Sequence, residues 1–194
     1  VDVAMAEGAA YLGGMFWGLL AKGDWQERRG ENLLDGGAPW YQTYRTRDDG
    51  YMAVGAIEAR FYAALVERLG LGDAGLPAQH DRAGWPVLRA RFAEVFQTRT
   101  RSEWESHFSG SDACVTPVLS LSEAPEHPHA KAREAFVTRG EVMQPGVVPK
   151  FSRTPGEVGA AAAASGSDSR AVLAAWGFQS AEIERLERAG VFGK

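Results

Sequence analysis

Between Tyr41 and Leu69 the hydrophobic pattern changes period once, and that change restricts the chain more than any other feature. Tyr41-Gln42-Thr43-Tyr44 and Tyr51-Met52-Ala53-Val54 are runs of aromatic, β-branched and apolar residues flanking the turn signal Arg47-Asp48-Asp49-Gly50. That combination predicts a β-hairpin. The second strand is expected to run out at Gly55, and from Glu58 onward Phe61, Leu65, Val66 and Leu69 recur at helical spacing. Glu58 therefore falls at a strand–helix junction, where a carboxylate faces the positive end of the helix dipole. On spacing alone, a first-turn residue completing a helix start is the plainer reading of it.

The rest of the chain reads as mixed helix and short strand. Ala4 to Leu20 is apolar around most of a helical circumference, so a single helix buried on several sides is expected, with Met5 and Met15 as adaptable core residues. Gly23 to Pro39 lacks periodicity and predicts a surface loop. Gly70 to Gly84, which contains His80, breaks regularity, and a helix follows from about Trp85 with Pro86 in its first turn. Arg101 to Phe108 predicts a short helix capped by Thr98 or Thr100, with Trp104 and Phe108 packed as an i,i+4 pair. Ala113 to Leu119 reads as a short buried strand ended by Pro117, and Ser120 or Ser122 as a cap for the helical piece beyond. Phe136 to Met143 alternates as a strand, and Phe151 to Gly156 is extended and closed by a turn. The alanine run within Val158 to Ser169, fenced by Gly159 and Gly166, predicts a flexible connection rather than a helix. Two terminal helices, Ala171 to Trp176 and Ser180 to Ala189, close the chain, with Ile183 and Leu186 on the apolar side of the second.

Composition excludes several classes of function. The chain has 194 residues, 45% hydrophobic and 24% charged, which suits one or two modest cores. A net charge of -4 without a basic block argues against nucleic acid or an anionic membrane surface as partner. The longest apolar stretch, Ala9 to Ala21, holds three glycines and is too short for a bilayer, which needs about 20 apolar residues. The single cysteine, Cys114, fits a reducing, cytoplasmic setting and is expected to be a buried, inert thiol. His127-Pro128-His129 lacks a third ligand, so a turn is expected there and no metal. His107 reads as a helix-surface or core residue, and no Ser/His/Asp or Cys/His constellation can be assembled.

Six segments, in order, carry a family resemblance: Asn32-Leu33-Leu34-Asp35-Gly36-Gly37-Ala38-Pro39; Tyr44-Arg45-Thr46; Val54-Gly55-Ala56-Ile57-Glu58 with Phe61-Tyr62; Cys114-Val115-Thr116-Pro117-Val118; His127-Pro128-His129; and Phe151-Ser152-Arg153-Thr154-Pro155-Gly156. Together they resemble the α-methylacyl-CoA racemases of the class III CoA-transferase (CaiB/BaiF) family. One departure is Gly156-Glu157-Val158, which stands where the family commonly has a Gly-Glu-His-Thr-like turn. A role for that histidine therefore cannot be carried over.

The resemblance implies an α/β architecture: a linker helix and loop over 1–41, a small α/β domain over 42–130 with a hairpin and helices, and a segment over 131–194 returning to a large Rossmann-like domain. Val1-Asp2-Val3 is not a translation start, and the resemblance implies a further N-terminal half holding most of the CoA. It also implies an interlocked homodimer in which Glu58 orients a proton-transferring histidine of the second subunit. The acid/base pair, that histidine and an aspartate, would lie in the N-terminal half. Met5 and Met15 would line the acyl-tail surface, and Tyr41 would lie near the acyl-CoA thioester. CoA is then part of the substrate and no separate cofactor is expected. A CoA-transferase of the same superfamily and a non-catalytic dimerisation fragment stand as alternatives.

Overall fold

The computed structural model describes residues 1–161 and 163–192, and the chain divides at Leu119 into two units. In the first, the apolar stretch expected as one buried helix forms two, α1 (Met5–Leu12) and α2 (Gly14–Ala21). Gly13-Gly14 marks the break, since two missing side chains raise the entropic cost of continuing a helix. The expectation of burial is corrected: neither helix has a buried residue, and Met5, Tyr11, Leu12 and Trp17 are largely exposed. An apolar circumference does not specify what covers it, and the core of this unit is assembled from other elements.

The connection to the sheet also departs from expectation, because Asn32 and the run from Gly37 to Trp40 are buried. Side chains order it rather than a backbone ladder. Asn32 Nδ2 donates to the carbonyls of Gln26 (2.9 Å) and Arg28 (3.0 Å) and to Asp35 Oδ2 (2.8 Å), while Asn32 Oδ1 accepts from the Gln26 N–H at 2.7 Å. Asp35 accepts from the N–H groups of Gly30, Asn32 and Gly37 as well. Burial by itself would raise the Asp35 pKa, but these donors outweigh it and hold the carboxyl below its ordinary value. A Cβ at Gly37 would lie 2.5 Å from the Asn32 backbone, so only glycine closes the loop.

The predicted hairpin follows: β1 (Tyr41–Arg45) and β2 (Tyr51–Gly55) pair antiparallel, with Tyr41 opposite Gly55 and Arg45 opposite Tyr51. In its turn Thr46 Oγ1 donates to Asp48 Oδ1 at 2.6 Å and Asp49 takes a φ of 63°, a left-handed conformation that aspartate tolerates better than most residues. Next come α3 (Ala59–Arg68), α4 (Trp85–Phe96) with Pro86 in its first turn, and α5 (Arg101–Phe108). Of the two candidate caps, Thr100 is used. Its hydroxyl accepts from the Glu103 N–H, and Glu103 Oε2 accepts from the Thr100 N–H at 2.7 Å, a reciprocal capping box. Finally β3 (Val115–Pro117) pairs antiparallel with β2, giving the order β1-β2-β3.

Tyr44, Met52 and Val54 turn one sheet face into a core completed by Trp40, Leu65, Leu88, Phe92, Phe96, Trp104 and Phe108. Tyr44 stacks on Phe96 at 5.0 Å, Phe96 lies 5.2 Å from Trp104, and the Trp104 indole N–H donates to the Phe96 carbonyl at 2.8 Å. Each such side chain stabilises the fold by about 1.5–3 kcal/mol. Slipping the strands by one residue would turn Tyr44, Met52 and Val54 outward, so burial sets the register.

In the second unit, Ser120 and Glu123 exchange cap bonds ahead of a 3₁₀ turn at Ala124–Glu126. Pro128 opens α6 (Pro128–Ala132). The expected strand over Phe136 to Met143 is a hairpin instead, β4 (Phe136–Arg139) against β5 (Val142–Pro145), because Gly140 at φ 60° opens a two-residue turn. Among the described residues of 158–168 no helix forms; Ala162 of the alanine run lies outside them, as do Gly193 and Lys194. Then come α7 (Ser169–Ala175) and α8 (Ser180–Arg188), with Ile183 buried and Leu186 half-buried on the expected side. The result is a mixed α/β fold with small antiparallel sheets. No helix among the described residues is long and apolar enough to cross a membrane.

Candidate active-site carboxylate

Glu58 directly precedes α3, in extended conformation (φ −75°, ψ 145°), and its side chain caps none of the helix amides. Its carboxylate is exposed and accepts no hydrogen bond from any described residue. The main chain leading to it is held on every side. The Gly55 N–H donates to the Cys114 carbonyl (2.9 Å), the Ala56 N–H to the Trp40 carbonyl (3.0 Å) and the Ile57 N–H to the Gly55 carbonyl (3.0 Å). Gln79 Nε2 donates to the carbonyls of Ile57 (2.9 Å) and Ala56 (3.3 Å). The Glu58 carbonyl accepts the Tyr62 N–H at 2.9 Å, the first bond of the helix. The carboxylate thus has a fixed root at the positive end of a helix and only its own torsions for freedom.

Beside it, the solvent-facing side of the sheet forms a groove of about 360 Å³ lined by residues that include Tyr41, Thr43, Ala53, Gly55, Cys114 and Thr116. Tyr41, opposite Gly55 across the hairpin, is 38% exposed. The structure therefore brings Tyr41 to the strand end that leads into Glu58. Met5 and Met15, 92% and 57% exposed on α1 and α2, line no part of this groove.

The expectation for Cys114 is corrected in position. It is exposed with a φ of 51°, which takes it out of the strand before β3 begins, so strand alternation does not bury it. Desolvation, and then the charges of Glu58 and Asp112, push its thiol pKa up, which disfavours the nucleophilic thiolate. His107 clips α5 to α3: its Nε2 donates to the Arg68 carbonyl at 2.8 Å, and Arg68 Nη1 donates back to the His107 carbonyl at 3.2 Å. His127 Nδ1 accepts the His129 N–H at 3.2 Å, a turn contact. Among the described residues, no three His, Cys, Asp or Glu side chains cluster as a metal site would need.

Residues 1–169 match the family model described as CoA-transferase family III. The chain belongs to that family. It is 46% identical over 188 residues to the alpha-methylacyl-CoA racemase of Mus musculus and 40% identical over 196 residues to that of Homo sapiens. Each match covers 96% of this chain and 49% of the relative, so the chain spans about half the length of these curated relatives. A CaiB/baiF CoA-transferase family protein of Caenorhabditis elegans is 32% identical over 136 residues, covering 70% of this chain and 38% of that protein. Among solved structures, Rv3272 of Mycobacterium tuberculosis superposes with a TM-score of 0.57 at 16% identity, over 80% of this chain and 41% of that one, a likeness of fold.

Within this CoA-transferase family III chain, two residues around Glu58 escape sequence reasoning. Gln79 lies in an aperiodic stretch and announces nothing until its amide is seen on the Ala56 and Ile57 carbonyls. Trp40 reads only as an aromatic before a strand, yet its carbonyl holds Ala56 and its ring is wholly buried. Asn32 and Asp35 did leave a signal, two Asx residues three apart beside a Gly-Gly pair, of the kind that organises turns through side-chain bonds to the backbone.

Proposed function

We propose that this chain is the part of an acyl-CoA racemase that presents Glu58 to a proton-transferring histidine of a second subunit. The acyl group would be a 2-methyl-branched thioester, with CoA as part of the substrate and no separate cofactor. A thioester acidifies the hydrogen on its α-carbon; a base takes that proton from one face, the enolate is held, and an acid returns a proton to the other face. Each cycle consumes no net proton and inverts the centre. The two proton-carrying groups would lie outside this chain, and Glu58 would fix the tautomer and position of the histidine, as the buried aspartate does in a hydrolase triad. Tyr41 would border the thioester, and Met5 and Met15 would meet the acyl tail.

The observation that carries this reading is an ionisable carboxylate with a rigid root and no local claim on its oxygens. The racemase names of the mouse and human relatives support the reaction type, and the family name keeps CoA transfer as the competing chemistry. The test uses the full-length protein with (2R)- and (2S)-2-methylacyl-CoA in deuterium oxide. Deuterium enters the α-position from either epimer, and Glu58→Gln slows that entry by about 100-fold, the scale set by a misplaced reacting group. Undiminished exchange in Glu58→Gln refutes the orienting role. Transfer of CoA to a free carboxylic acid without α-exchange replaces racemisation with the transferase reading.

A further inference from the structure

Of the contacts that fix the main chain before Glu58, all but one pair come from the backbone. The exception is the Gln79 amide, which reaches back across the fold to two consecutive carbonyls, those of Ala56 and Ile57. We infer that Gln79 is a positioning residue for Glu58, an assignment that rests on the reading of Glu58 given above.

Gln79 is itself held from both sides. Its carbonyl accepts the Trp85 indole N–H at 3.1 Å, and Trp85 is buried edge-on against Trp40 at 5.3 Å. The next residue, His80, sets its ring against Trp40 at 5.6 Å. Asp81 caps the turn that follows by accepting the Ala83 N–H, and Gly84 packs so closely on Pro77 that a Cβ would lie 2.3 Å from it. The irregular stretch before α4 thus delivers one amide to one place. Trp40 is the common support, because its carbonyl also receives the Ala56 N–H.

An amide is the group this position needs. Its two hydrogens can serve two carbonyl oxygens, whereas a carboxylate has none to give and an alanine reaches neither. Without it the Ile57–Glu58 peptide loses its side-chain brace while the hairpin ladder and the helix keep their own bonds. The carboxylate root then moves although the domain stays folded.

The experiment is a double-variant cycle in the full-length protein, with Gln79→Ala, Glu58→Gln and the pair assayed by α-proton exchange and by thermal unfolding. Gln79→Ala is expected to lower kcat about tenfold, as small misplacements of reacting groups do, with KM kept within about twofold. In the Glu58→Gln background, Gln79→Ala is expected to add no further loss, because its effect runs through the carboxylate already removed. A double variant slower than Glu58→Gln by the full single-variant factor overturns the inference in favour of a general structural role. So does a kcat in Gln79→Ala within about twofold of the parent. Unchanged exchange in Glu58→Gln refutes the reading of the site, and the inference with it. Slowed exchange in Glu58→Gln beside an unaffected Gln79→Ala removes the inference alone.

Discussion

Replacing Asn32 by alanine should loosen the approach to the sheet and, through Trp40, the support of the Glu58 main chain. Asn32 Nδ2 has two hydrogens for three acceptors, so with the bond received by Oδ1 it completes three bonds at a time. Two neutral bonds at about 1 kcal/mol each and one to a carboxylate at about 1.5–3 kcal/mol set a ceiling of about 3.5–5 kcal/mol. Gln26 and Arg28 are exposed, so water replaces part of what their backbone groups lose, and the expected cost is about 2–3 kcal/mol. Urea unfolding followed by tryptophan fluorescence reads this directly. With an m-value of about 2–3 kcal/mol/M the midpoint should fall by about 1 M. Asn32→Asp should fare no better, since it removes both donor hydrogens and faces Asp35 with a second negative charge. A midpoint shift under about 0.2 M at unchanged m would refute the idea that this amide organises the loop.

Two further outcomes follow from the titrating groups. The Asp35 carboxyl is held below its ordinary value when folded, so as acid is added the unfolded chain takes up the proton first. The stability that it contributes is complete above about pH 4 and is lost as pH falls from there through the lower folded value. The urea midpoint should drop over that window in the parent and drop less steeply in Asp35→Asn; equal slopes would exclude the mechanism. At Cys114, Glu58→Gln removes one of the charges that raise the thiol pKa, so a maleimide at neutral pH should react faster. The gain should stay below about threefold, because desolvation, the larger cause, is untouched. A slower reaction, or an identical rate, would contradict proximity of the two groups.

What was legible in the chain is what local repetition encodes. The hairpin, α3, α4 and α5 each announce themselves by a period, and Thr100, Pro86 and the Trp104–Phe108 pair stand where capping, proline chemistry and helix spacing put them. The burial around Asn32 leaves no trace in the hydrophobic pattern, because the order there comes from an amide and a carboxylate binding backbone groups, which has no period to detect. The exposure of α1 and α2 is hidden from the sequence for a different reason: a helix apolar around its circumference states a need for cover without naming the cover. Apolar neighbours such as Val115 and Val118 do not bury Cys114, because a positive φ takes it out of the chain path before β3 begins. Inside the run from Phe136 to Met143, Gly140 is a turn signal that outweighs the alternation on either side of it and folds the run into a hairpin. At the candidate site, the junction that presents Glu58 was legible from the change of period, while the amide bracing it comes from a stretch with no pattern at all.

The locked peptide run from Gly55 to Glu58 has an entropic consequence. Immobilising four residues of chain costs about 1–2 kcal/mol apiece, and here that cost falls in the folding of the domain, before anything docks. A visiting group has only the χ rotations of a single glutamate to still, about 1.5–2 kcal/mol. Any group that meets this carboxylate must come within the span of one glutamate side chain, because the backbone at its root has no slack to extend that reach.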